Sequence, residues 1–314
     1  MENILVIKHG ALGDFVMALG SMRTIRKRHP QARITLLTMS PFVKIAEQAG
    51  IFNDYIIDNR LSWRHMKETR RVLGSILSGA YSRVYDLQST QRTSCYHFVW
   101  KFFSPAGLRV WYAANPCDPS PHAFIHSKVC RCLPGRQRML PYSLRAEMTD
   151  LNFLHGEGKH FDRLPERYVL LIPGSSAKHP YKRWPVENYR EIVRRLAERG
   201  VQVVLLGTQD EAAEANAIAE GNPLVVNMVG LTGLLDVPQV ARRALAVLGN
   251  DTGPSHMAAF IGVFTISIID HRNLRSVLRG PNCKSLISTG SVALITPDEV
   301  WQLLEPCIGD GASE

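Results

Sequence analysis

Short apolar runs alternate with amphipathic segments along most of the chain. In the first half, apolar runs predict strands at residues 4–8, 33–38, 55–58 and 83–88. Between them, apolar residues recur every three or four positions, which predicts helices at 14–28, 42–49 and 62–78. Strands that alternate with helices indicate parallel β-α-β units.

The same alternation restarts in the second half. The segments "YVLLI", "VQVVLLG", "PLVVNM", "LAVLG" and "FTISII" predict strands, and helical patterns cover 184–200, 210–220, 236–244, 255–262 and 297–306. Continuous apolar strands are typical of parallel sheets that are buried on both faces. We therefore predict two consecutive α/β domains, at 1–160 and 161–314.

The stretch from about 104 to 150 departs from this pattern. It is dense in Pro, His, Arg and Cys, as in "SPAGLRVWYAANPCDPSPHAF". Clusters of this kind favour irregular structure. We interpret the stretch as a long loop region with one helix at 123–132.

Composition places the chain among soluble globular proteins and points to an acidic partner. Of 314 residues, 45% are hydrophobic and 21% charged, and no apolar run is long enough to span a membrane. The N-terminus lacks the features of a signal peptide, so we expect a cytoplasmic protein. The net charge is +9: residues 1–162 carry 22 Lys and Arg against 12 Asp and Glu, whereas residues 163–314 carry 15 against 16. A basic first half suits nucleic acid, anionic lipid or a phosphorylated glycan, although a merely solubilising surface has the same composition.

Three loops follow predicted strands, where parallel sheets bind ligands. The first is "KHGALGD", in which Gly10 and Gly13 permit a tight turn and close approach of a ligand. Asp14 begins the next helix, and it is interpretable either as an N-cap or as a functional carboxylate.

The second loop, "PGSSAKHPYKRW", combines hydroxyl groups with cations. Ser175, Ser176 and Lys182 are groups that suit a phosphate. The alternative is a solvated polar loop without a ligand.

The third loop, "NDTGPSH", lies between a strand and a helix. It is either a plain turn or an anion site in which Thr252 and Gly253 present backbone N–H groups at a helix N-terminus. Asp251 would repel a phosphate, so we expect it to orient the loop or to accept hydrogen bonds from N–H groups or sugar hydroxyls.

Missing motifs narrow the chemistry. There is no D-x-D pair or H-x-H cluster, so we expect no metal and no cofactor. No G-x-G-x-x-G follows the first strand of either domain, which argues against a dinucleotide enzyme. No G-x-S-x-G elbow is present, which argues against a hydrolase of that type.

Four motifs, taken in order, resemble glycosyltransferase family 9, the bacterial ADP-heptose:lipopolysaccharide heptosyltransferases. These are the opening "ILVIKHGALGDFVMALGSMRTIRKRHPQARITLL", then "PGSSAKHPYKRWPVENYREIVRRL", "VVLLGTQDE" and "NDTGPSHMAA". The resemblance implies an α/β GT-B fold, with two Rossmann-like parallel-sheet domains facing a central cleft. It implies an inverting, metal-independent transfer of heptose from ADP-heptose to the lipopolysaccharide inner core.

The resemblance also implies roles for individual residues. Asp14 matches the general base, which takes the proton of the attacking hydroxyl, and Lys182 matches the cation that neutralises the departing diphosphate. Donor-site residues implied by the motifs are Gly13, Ser175, Ser176, Lys182, Glu211, Asp251, Thr252, Gly253 and His256. For the acid that binds the ribose, Asp210 is the alternative to Glu211.

The implied partners are a nucleotide-sugar donor and a lipid-linked acidic glycan, at an anionic inner-membrane surface on its cytoplasmic face; no nucleic acid is expected. The basic first domain receives the acceptor in this fold, and we assign acceptor contacts to Lys8, His9, Gln88 and Arg92. The resemblance also implies that the last helix packs back on the first domain.

The chain departs from the family after its last long strand, where "DHRN" (270–273) replaces a G-P-T-type loop. This departure keeps alternatives open. They are the same fold with another nucleotide sugar or another glycan acceptor, and a nucleotide-binding protein without catalysis.

Overall fold

The structure is a computed structural model that describes residues 1–103, 110–113, 138–139, 149–278 and 280–309. The chain forms two compact units, Met1–Thr149 and Asp150–Glu314. The division precedes the predicted boundary at residue 160, because the segment after Asp150 bonds within the second unit. The Gly156 N–H donates to Gln239 Oε1 at 2.8 Å, and the Gly158 N–H donates to Asp236 Oδ1 at 3.0 Å.

The first unit contains a parallel sheet built around its N-terminal strand. Its strands are β1 (Asn3–Ile7), β2 (Arg33–Thr38), β3 (Asp54–Ile57), β4 (Arg83–Asp86), β5 (Val110–Ala113) and β6 (Arg138–Met139). They lie in the order β3-β2-β1-β4-β5-β6, and every neighbouring pair is parallel. Ile4 to Ile7 of the central strand β1 are completely buried, which explains their unbroken apolar sequence.

Four helices connect the described strands of this unit: α1 (Leu12–Arg28), α2 (Val43–Ala49), α3 (Met66–Ser78) and α4 (Gln91–Phe103). α2 ends at Gly50 in the left-handed conformation, as the sequence predicts for a helix closed by glycine. α3 and α4 bury Val72, Ile76, Tyr96 and Trp100 in one apolar cluster with the sheet.

The second unit contains a second parallel sheet. Its strands are β7 (Tyr168–Ile172), β8 (Gln202–Leu205), β9 (Val225–Asn227), β10 (Ala246–Asn250), β11 (Thr265–Ile269) and β12 (Cys283–Ile287). They lie in the order β12-β11-β10-β7-β8-β9, and all pairs are parallel. β7 and β10 are therefore neighbours at the centre, and the loops that follow them emerge at one edge of the sheet.

The helices of this unit are α5 (Val186–Glu198), α6 (Ala212–Ala219), α7 (Val237–Arg243), α8 (Gly253–Ile261) and α9 (Pro297–Ile308). Val300, Leu304 and Ile308 of α9 are buried in the core of the second unit, which accounts for its apolar face. The packing of this helix on the first domain stays a prediction. The predicted pair of parallel α/β domains is confirmed.

Three features differ from the predicted elements. α4 has no counterpart among them, because its aromatic residues lie on both faces and hide the helical period. β12 was also missed: it is an edge strand whose residues are only partly buried. β5 and β6 form within the stretch interpreted as loop, whereas the helix predicted at 123–132 lies outside the described residues.

Candidate functional site

The first candidate site lies where β1 and β4 end side by side. Lys8, the first residue after β1, is buried and its Nζ donates to the carbonyl oxygen of Leu87, just after β4, at 3.3 Å. Burial lowers the pKa of Lys8, and attraction to Asp14 and Asp86 partly offsets this effect. Lys8 is therefore a buried cation whose charge is balanced by nearby carboxylates of its own unit.

The side chain of Gln88 holds the loop between β1 and α1. Its Oε1 accepts hydrogen bonds from the N–H groups of His9 (3.1 Å) and Gly10 (3.3 Å), and its Nε2 donates to the Gly10 carbonyl at 3.3 Å. Gly10 has φ +119°, and a Cβ there would lie 2.4 Å from the ring of Phe42. The loop thus needs glycine for both its backbone conformation and its close packing.

A buried carboxylate, Asp58, joins this loop to β3 and α4. It lies just after β3 and is fully buried. His9 Nε2 lies 2.7 Å from its Oδ2, and Arg92 donates to both oxygens at 2.8 and 2.9 Å. The hydroxyl of Tyr96 also donates to Oδ2. Burial would raise the pKa of Asp58, but these hydrogen bonds outweigh it and hold the pKa well below its usual range.

Arg92 is also held from its other side. Its guanidinium carbon lies 4.6 Å from the ring centroid of Trp63, and its Nη1 donates to the Leu61 carbonyl at 2.8 Å. We predicted acceptor contacts for Lys8, His9, Gln88 and Arg92. The structure brings all four together, but it engages each of them in contacts that fasten the loop between β1 and α1.

Asp14 lies in the first turn of α1, as the third helical residue after Leu12 and Gly13. The N-cap is Ala11, so the interpretation of Asp14 as the cap is wrong. A carboxylate in the first turn is favoured by the helix dipole, which stabilises its charged form.

The second candidate site lies where β7 and β10 end. Asn250, the last residue of β10, is completely buried and links the two loops. Its Oδ1 accepts from the Trp184 N–H and the Tyr189 hydroxyl, both at 3.1 Å, and its Nδ2 donates to the Pro173 carbonyl at 2.5 Å. One amide therefore fixes the relative position of the "PGSS" and "NDTG" loops.

Asp251 follows Asn250 and forms the charged centre of this site. Its Oδ2 lies 2.6 Å from Lys182 Nζ, and its Oδ1 lies 3.6 Å from His256 Nε2. Burial would raise the pKa of Asp251, but hydrogen bonds from His256 and Lys182 lower it below its ordinary value. The predicted role of Asp251 as a residue that orients its loop agrees with these contacts.

The N-terminus of α8 is next to this pair. Thr252 is the N-cap and Gly253 begins the helix, whose first backbone bond runs from the His256 N–H to the Thr252 carbonyl at 3.2 Å. The first-turn N–H groups of a helix have no acceptor within the helix. The Ser255 hydroxyl is used internally, since it donates to the Asn250 carbonyl at 2.7 Å.

The two predicted serines have different surroundings. Ser175 is buried; its Oγ donates to the His179 carbonyl at 3.2 Å and accepts from Arg183 Nε at 3.3 Å. Arg183 also forms an ion pair with Glu214. Ser176 is exposed, and its Oγ accepts from the Lys178 N–H at 3.4 Å. Ser175 shapes the loop, and Ser176 faces solvent.

Glu211 lies close to the "PGSS" loop. Its Oε2 accepts from the Thr208 N–H at 2.6 Å and from the Thr208 hydroxyl at 3.1 Å, in a capping box. A Cβ on Gly174 would lie 1.8 Å from Glu211 Oε1, so a larger residue there would have to displace this carboxylate. Glu211 lies in the segment that follows β8, where the motif match places it. Its contact with the ribose stays a prediction.

The departure loop at 270–273 follows β11. Asp270 is buried and accepts from Arg272 Nε at 2.6 Å and Nη2 at 2.8 Å. These bonds lower the pKa of Asp270 to about 2. The Arg272 guanidinium lies 4.1 Å from the ring centroid of Tyr181, and Asn273 Nδ2 lies 3.5 Å from its hydroxyl. The loop is thereby joined to the Lys182 loop.

The described residues contain neither a candidate metal site nor a candidate membrane-spanning helix. In the parts of the chain that are described, no three His, Cys, Asp or Glu side chains group in a way that could hold a metal ion. None of the helices described is long and apolar enough to cross a bilayer.

Sequence reasoning missed Asp58, Tyr96 and Asn250. Asn250 had a usable signal, because it is a polar residue at the end of an apolar strand and the first residue of the "NDTGPSH" motif. Asp58 had only the weaker signal of a carboxylate at a predicted strand end. No short-range pattern in the sequence predicts its contact with Tyr96.

Comparisons with known proteins agree with this picture. The sequence profile of Glycosyltransferase family 9 (heptosyltransferase) matches residues 141–273. Lipopolysaccharide heptosyltransferase 2 of Escherichia coli (strain K12) is 24% identical over 277 residues, which cover 82% of this chain and 79% of the relative. Lipopolysaccharide heptosyltransferase 1 of Pseudomonas aeruginosa is 37% identical over 111 residues, 34% of this chain and 29% of the relative.

Solved structures share the fold along nearly the whole chain. The E. coli ADP-heptose lps heptosyltransferase II has a TM-score of 0.73 at 22% identity and covers 98% of each chain. The E. coli heptosyltransferase WaaC with ADP-2-deoxy-2-fluoro heptose has a TM-score of 0.71 at 18% identity, covering 97% of this chain and 99% of that one.

The two parallel α/β units share the GT-B fold of these solved enzymes. The match to the glycosyltransferase family model and the heptosyltransferase relatives identify the class of enzyme as a glycosyltransferase. Residues 141–273 match the model of glycosyltransferase family 9, the heptosyltransferase family, and a heptosyltransferase relative aligns with 82% of the chain. The predicted family, fold class and enzyme class are confirmed.

Proposed function

We propose that the chain transfers a heptose from ADP-heptose to the inner core of lipopolysaccharide, with inversion at the anomeric carbon and without a metal ion. The donor assignment is supported by the solved relative with ADP-2-deoxy-2-fluoro heptose. The acceptor assignment is supported by relatives named lipopolysaccharide heptosyltransferase. The observation that carries the proposal is the Lys182–Asp251 pair, 2.6 Å apart, beside the start of α8.

The donor diphosphate is assigned to the start of α8. First-turn N–H groups and the helix dipole favour an anion there, and Lys182 supplies a full positive charge. An ammonium has three N–H donors, so Lys182 can hold Asp251 and a phosphate oxygen together. Asp251 then fixes the position of the cation, and the ribose hydroxyls are assigned to Glu211, with Asp210 as the alternative.

In the proposed transfer step, Asp14 takes a proton and Lys182 stabilises the leaving group. The acceptor hydroxyl oxygen attacks the anomeric carbon of the heptose while the bond from that carbon to the diphosphate oxygen breaks. The hydroxyl proton passes to the Asp14 carboxylate, which acts as general base. ADP leaves with its new negative charge stabilised by Lys182 and the α8 N–H groups. Attack opposite the leaving group inverts the configuration.

The acceptor side is assigned to the first unit, at the cytoplasmic face of the inner membrane. The strongly basic composition of residues 1–162 supports an acidic acceptor. The buried contacts of His9, Gln88 and Arg92 support a role in holding the Gly10 loop that precedes Asp14. We therefore assign these three residues to positioning and leave direct acceptor contacts to exposed cations.

Heptose transfer to a defined core acceptor, followed by mass spectrometry, tests the proposal. We expect Lys182→Gln to lower kcat by about 10²–10³-fold, because it removes the charge that stabilises the leaving group. Lys178→Gln is the matched control: this exposed lysine lies in the same loop, and its loss should leave kcat near the unaltered value. Equal losses in both variants would contradict the assigned role of Lys182.

A second variant separates chemistry from binding. Asp14→Asn should lower turnover by about 10²–10⁴-fold while ADP still stabilises the chain, by roughly 2–3 kcal/mol at a hundredfold excess over Kd. Transfer should persist after dialysis against EDTA, and NMR of the product should show the inverted anomer. Loss of turnover on dialysis that Mg²⁺ restores would refute the metal-independent mechanism.

The loop at 270–273 supports a second candidate, the same reaction with another nucleotide sugar or acceptor. Its Asp270–Arg272 pair reaches Tyr181 of the Lys182 loop, where a donor sugar would be read. A reaction that contains several competing nucleotide sugars distinguishes the two candidates, because the mass of the product shows which sugar was transferred. Stabilisation by ADP without transfer from any donor would instead favour a nucleotide-binding protein without catalysis.

A further inference from the structure

The loop after β11 holds an exposed arginine in one orientation. The side chain of Arg272 is 54% exposed, yet its Nε and Nη2 both donate to the Asp270 carboxylate, at 2.6 and 2.8 Å. Its guanidinium also lies over the Tyr181 ring, 4.1 Å from the ring centroid. An exposed arginine without such contacts keeps most of its rotamer freedom. This side chain is therefore ordered before any ligand binds, which favours recognition.

The carboxylate that holds Arg272 is itself fixed. Asp270 is completely buried, and its Oδ1 also accepts the backbone N–H of Arg272 at 3.0 Å. The next residue attaches the loop to the segment after β12, since His271 Nδ1 lies 2.7 Å from the carbonyl oxygen of Gly290. The position of the guanidinium is therefore determined by the fold of the second unit.

Arg272 lies beside the assigned donor site. β11 is parallel to its neighbour β10, so the loops after both strands leave the sheet at one edge. Tyr181, over which Arg272 lies, directly precedes Lys182, and Lys182 Nζ lies 2.6 Å from Asp251 Oδ2. The sugar of a nucleotide sugar is bonded directly to its diphosphate. A side chain next to the phosphate-binding lysine is therefore well placed for the hydroxyl groups of that sugar.

Part of the Arg272 guanidinium is available to a ligand. A guanidinium carries five N–H donors in one plane, and Asp270 accepts one from Nε and one from Nη2. Within the described part of the chain, Nη1 donates to no acceptor. The diphosphate is already assigned to Lys182 and the start of α8. The acceptors left for Nη1 are hydroxyl oxygens of the sugar.

We propose that Arg272 is a specificity-determining residue for the donor, and that its Nη1 donates a hydrogen bond to a hydroxyl oxygen of the transferred sugar. Asp270 and Tyr181 are positioning residues, because one pairs with the guanidinium and the other supports its face. An enclosed site that binds a substrate hydroxyl rejects an analogue lacking it by about 10⁴-fold or more. Arg272 is half exposed, so water can replace a missing hydroxyl, and we expect about 10–100-fold. The assignment rests on the proposed function in one respect, namely that the ligand is a nucleotide sugar bound at Lys182.

Isothermal titration calorimetry with ADP and with ADP-heptose, without acceptor, tests the inference. The variant is D270N/R272M, because removing both charges leaves no buried carboxylate without its counter-ion. Its Kd for ADP-heptose should rise about 10–100-fold, whereas its Kd for ADP should stay within about twofold of the unaltered value, since ADP lacks the sugar. Unchanged ADP binding also shows that the variant is folded.

A matched control comes from another exposed arginine of the second unit. Arg194 is 56% exposed and pairs with Glu191 on α5, at 2.8 Å. R194M should leave the Kd values for ADP and ADP-heptose unchanged. A loss of ADP-heptose affinity in this variant equal to that of D270N/R272M would contradict a specific role of Arg272.

Donors that lack one hydroxyl identify the group that Arg272 binds. Among ADP-heptoses each deoxygenated at one position, one should bind the unaltered chain about 10–100-fold more weakly than ADP-heptose. D270N/R272M should not distinguish that analogue from ADP-heptose, because the contact is already lost. This non-additivity is a readout that a merely structural role of the loop would not produce.

The possible outcomes separate this inference from the proposed function. An equal rise in Kd for ADP and ADP-heptose would assign Arg272 to the structure of the loop, and a deoxy series that shows no coupling to Arg272 would also overturn the inference. Absence of transfer to any acceptor, with a loss confined to ADP-heptose affinity, would refute the function and leave the role of Arg272 standing. Binding of neither ligand by the unaltered chain would overturn both.

Discussion

Replacing Asp58 by asparagine tests whether the buried network of the first unit is held by charge. The substitution keeps the size of the side chain but removes its negative charge. It also places an amide where Arg92, Tyr96 and His9 now find a carboxylate. The amide has one acceptor oxygen and one NH2 group, so partners that now donate to two oxygens would in part face another donor. The Arg92 charge also loses its counter-ion.

The expected loss is large because Asp58 is fully buried. Breaking a buried ion pair by removing one partner costs about 3–5 kcal/mol. For a unit of about 150 residues, this corresponds to a decrease in Tm of roughly 6–20 °C. Differential scanning calorimetry or thermal circular dichroism measures it.

Asp54→Asn provides the matched control. Asp54 lies at the start of β3 and also binds an arginine through both oxygens, with Arg33 Nε at 2.6 Å and Nη2 at 2.9 Å. That ion pair is exposed, so water can replace the hydrogen bonds that the substitution removes. The Tm should therefore hardly change. Equal losses in the two variants, or none at Asp58, would refute the reasoning that burial decides the effect.

The pH dependence of the Asp58 effect follows from the sign of its pKa shift. The pKa is lowered in the folded state, so the stabilisation is fully present above the unfolded value, near 3.9. It is lost as pH falls from there through the folded pKa. The difference in Tm between the unaltered chain and Asp58→Asn should therefore be smaller at pH 3 than at pH 7. A difference that grows on acidification would contradict the assignment of a charged carboxylate.

Three further predictions concern the second unit. Gly174→Ala should displace the Glu211 carboxylate, because its Cβ would lie 1.8 Å from Oε1; the ADP-induced shift in Tm should shrink, and an unchanged shift would contradict it. Asn250→Leu should cost roughly 2–4 kcal/mol, since its buried partners lose their hydrogen bonds; urea unfolding measures the loss. Arg272→Gln should lower Tm at pH 7 but have less effect near pH 3, because the lowered pKa of Asp270 stabilises the fold only above about pH 4.

Much of the fold could be predicted because strands and helices follow from the local pattern of apolar and polar residues. The buried strands β1, β7 and β10 are continuous apolar runs, and parallel sheets require exactly such strands between amphipathic helices. The three candidate loops follow from the same rule, since ligand loops lie at the carboxyl ends of parallel strands. α4 was missed because aromatic residues lie on its buried and its exposed faces, so its sequence shows no helical period. β12 was missed because it is an edge strand, and its partly buried residues show no clear alternation.

The roles of individual polar residues were harder to predict. His9, Gln88 and Arg92 were assigned to the acceptor on their residue types and position. Whether such a side chain faces a ligand or its own unit depends on the partners that the fold brings to it. Asp58 and Tyr96 are those partners, and they lie 49 and 87 residues from His9 along the chain.

The two parallel α/β units, the three candidate loops and the family resemblance could all be predicted from the sequence. These depend on local periodicity and short motifs, which any segment expresses without its distant neighbours. The folded structure was needed to show that Asp58 anchors the Gly10 loop, that Asn250 joins two loops, and that Lys182 pairs with Asp251. The physical reason is that a buried polar group must find a partner, and strand order, not sequence separation, determines which partner is within reach.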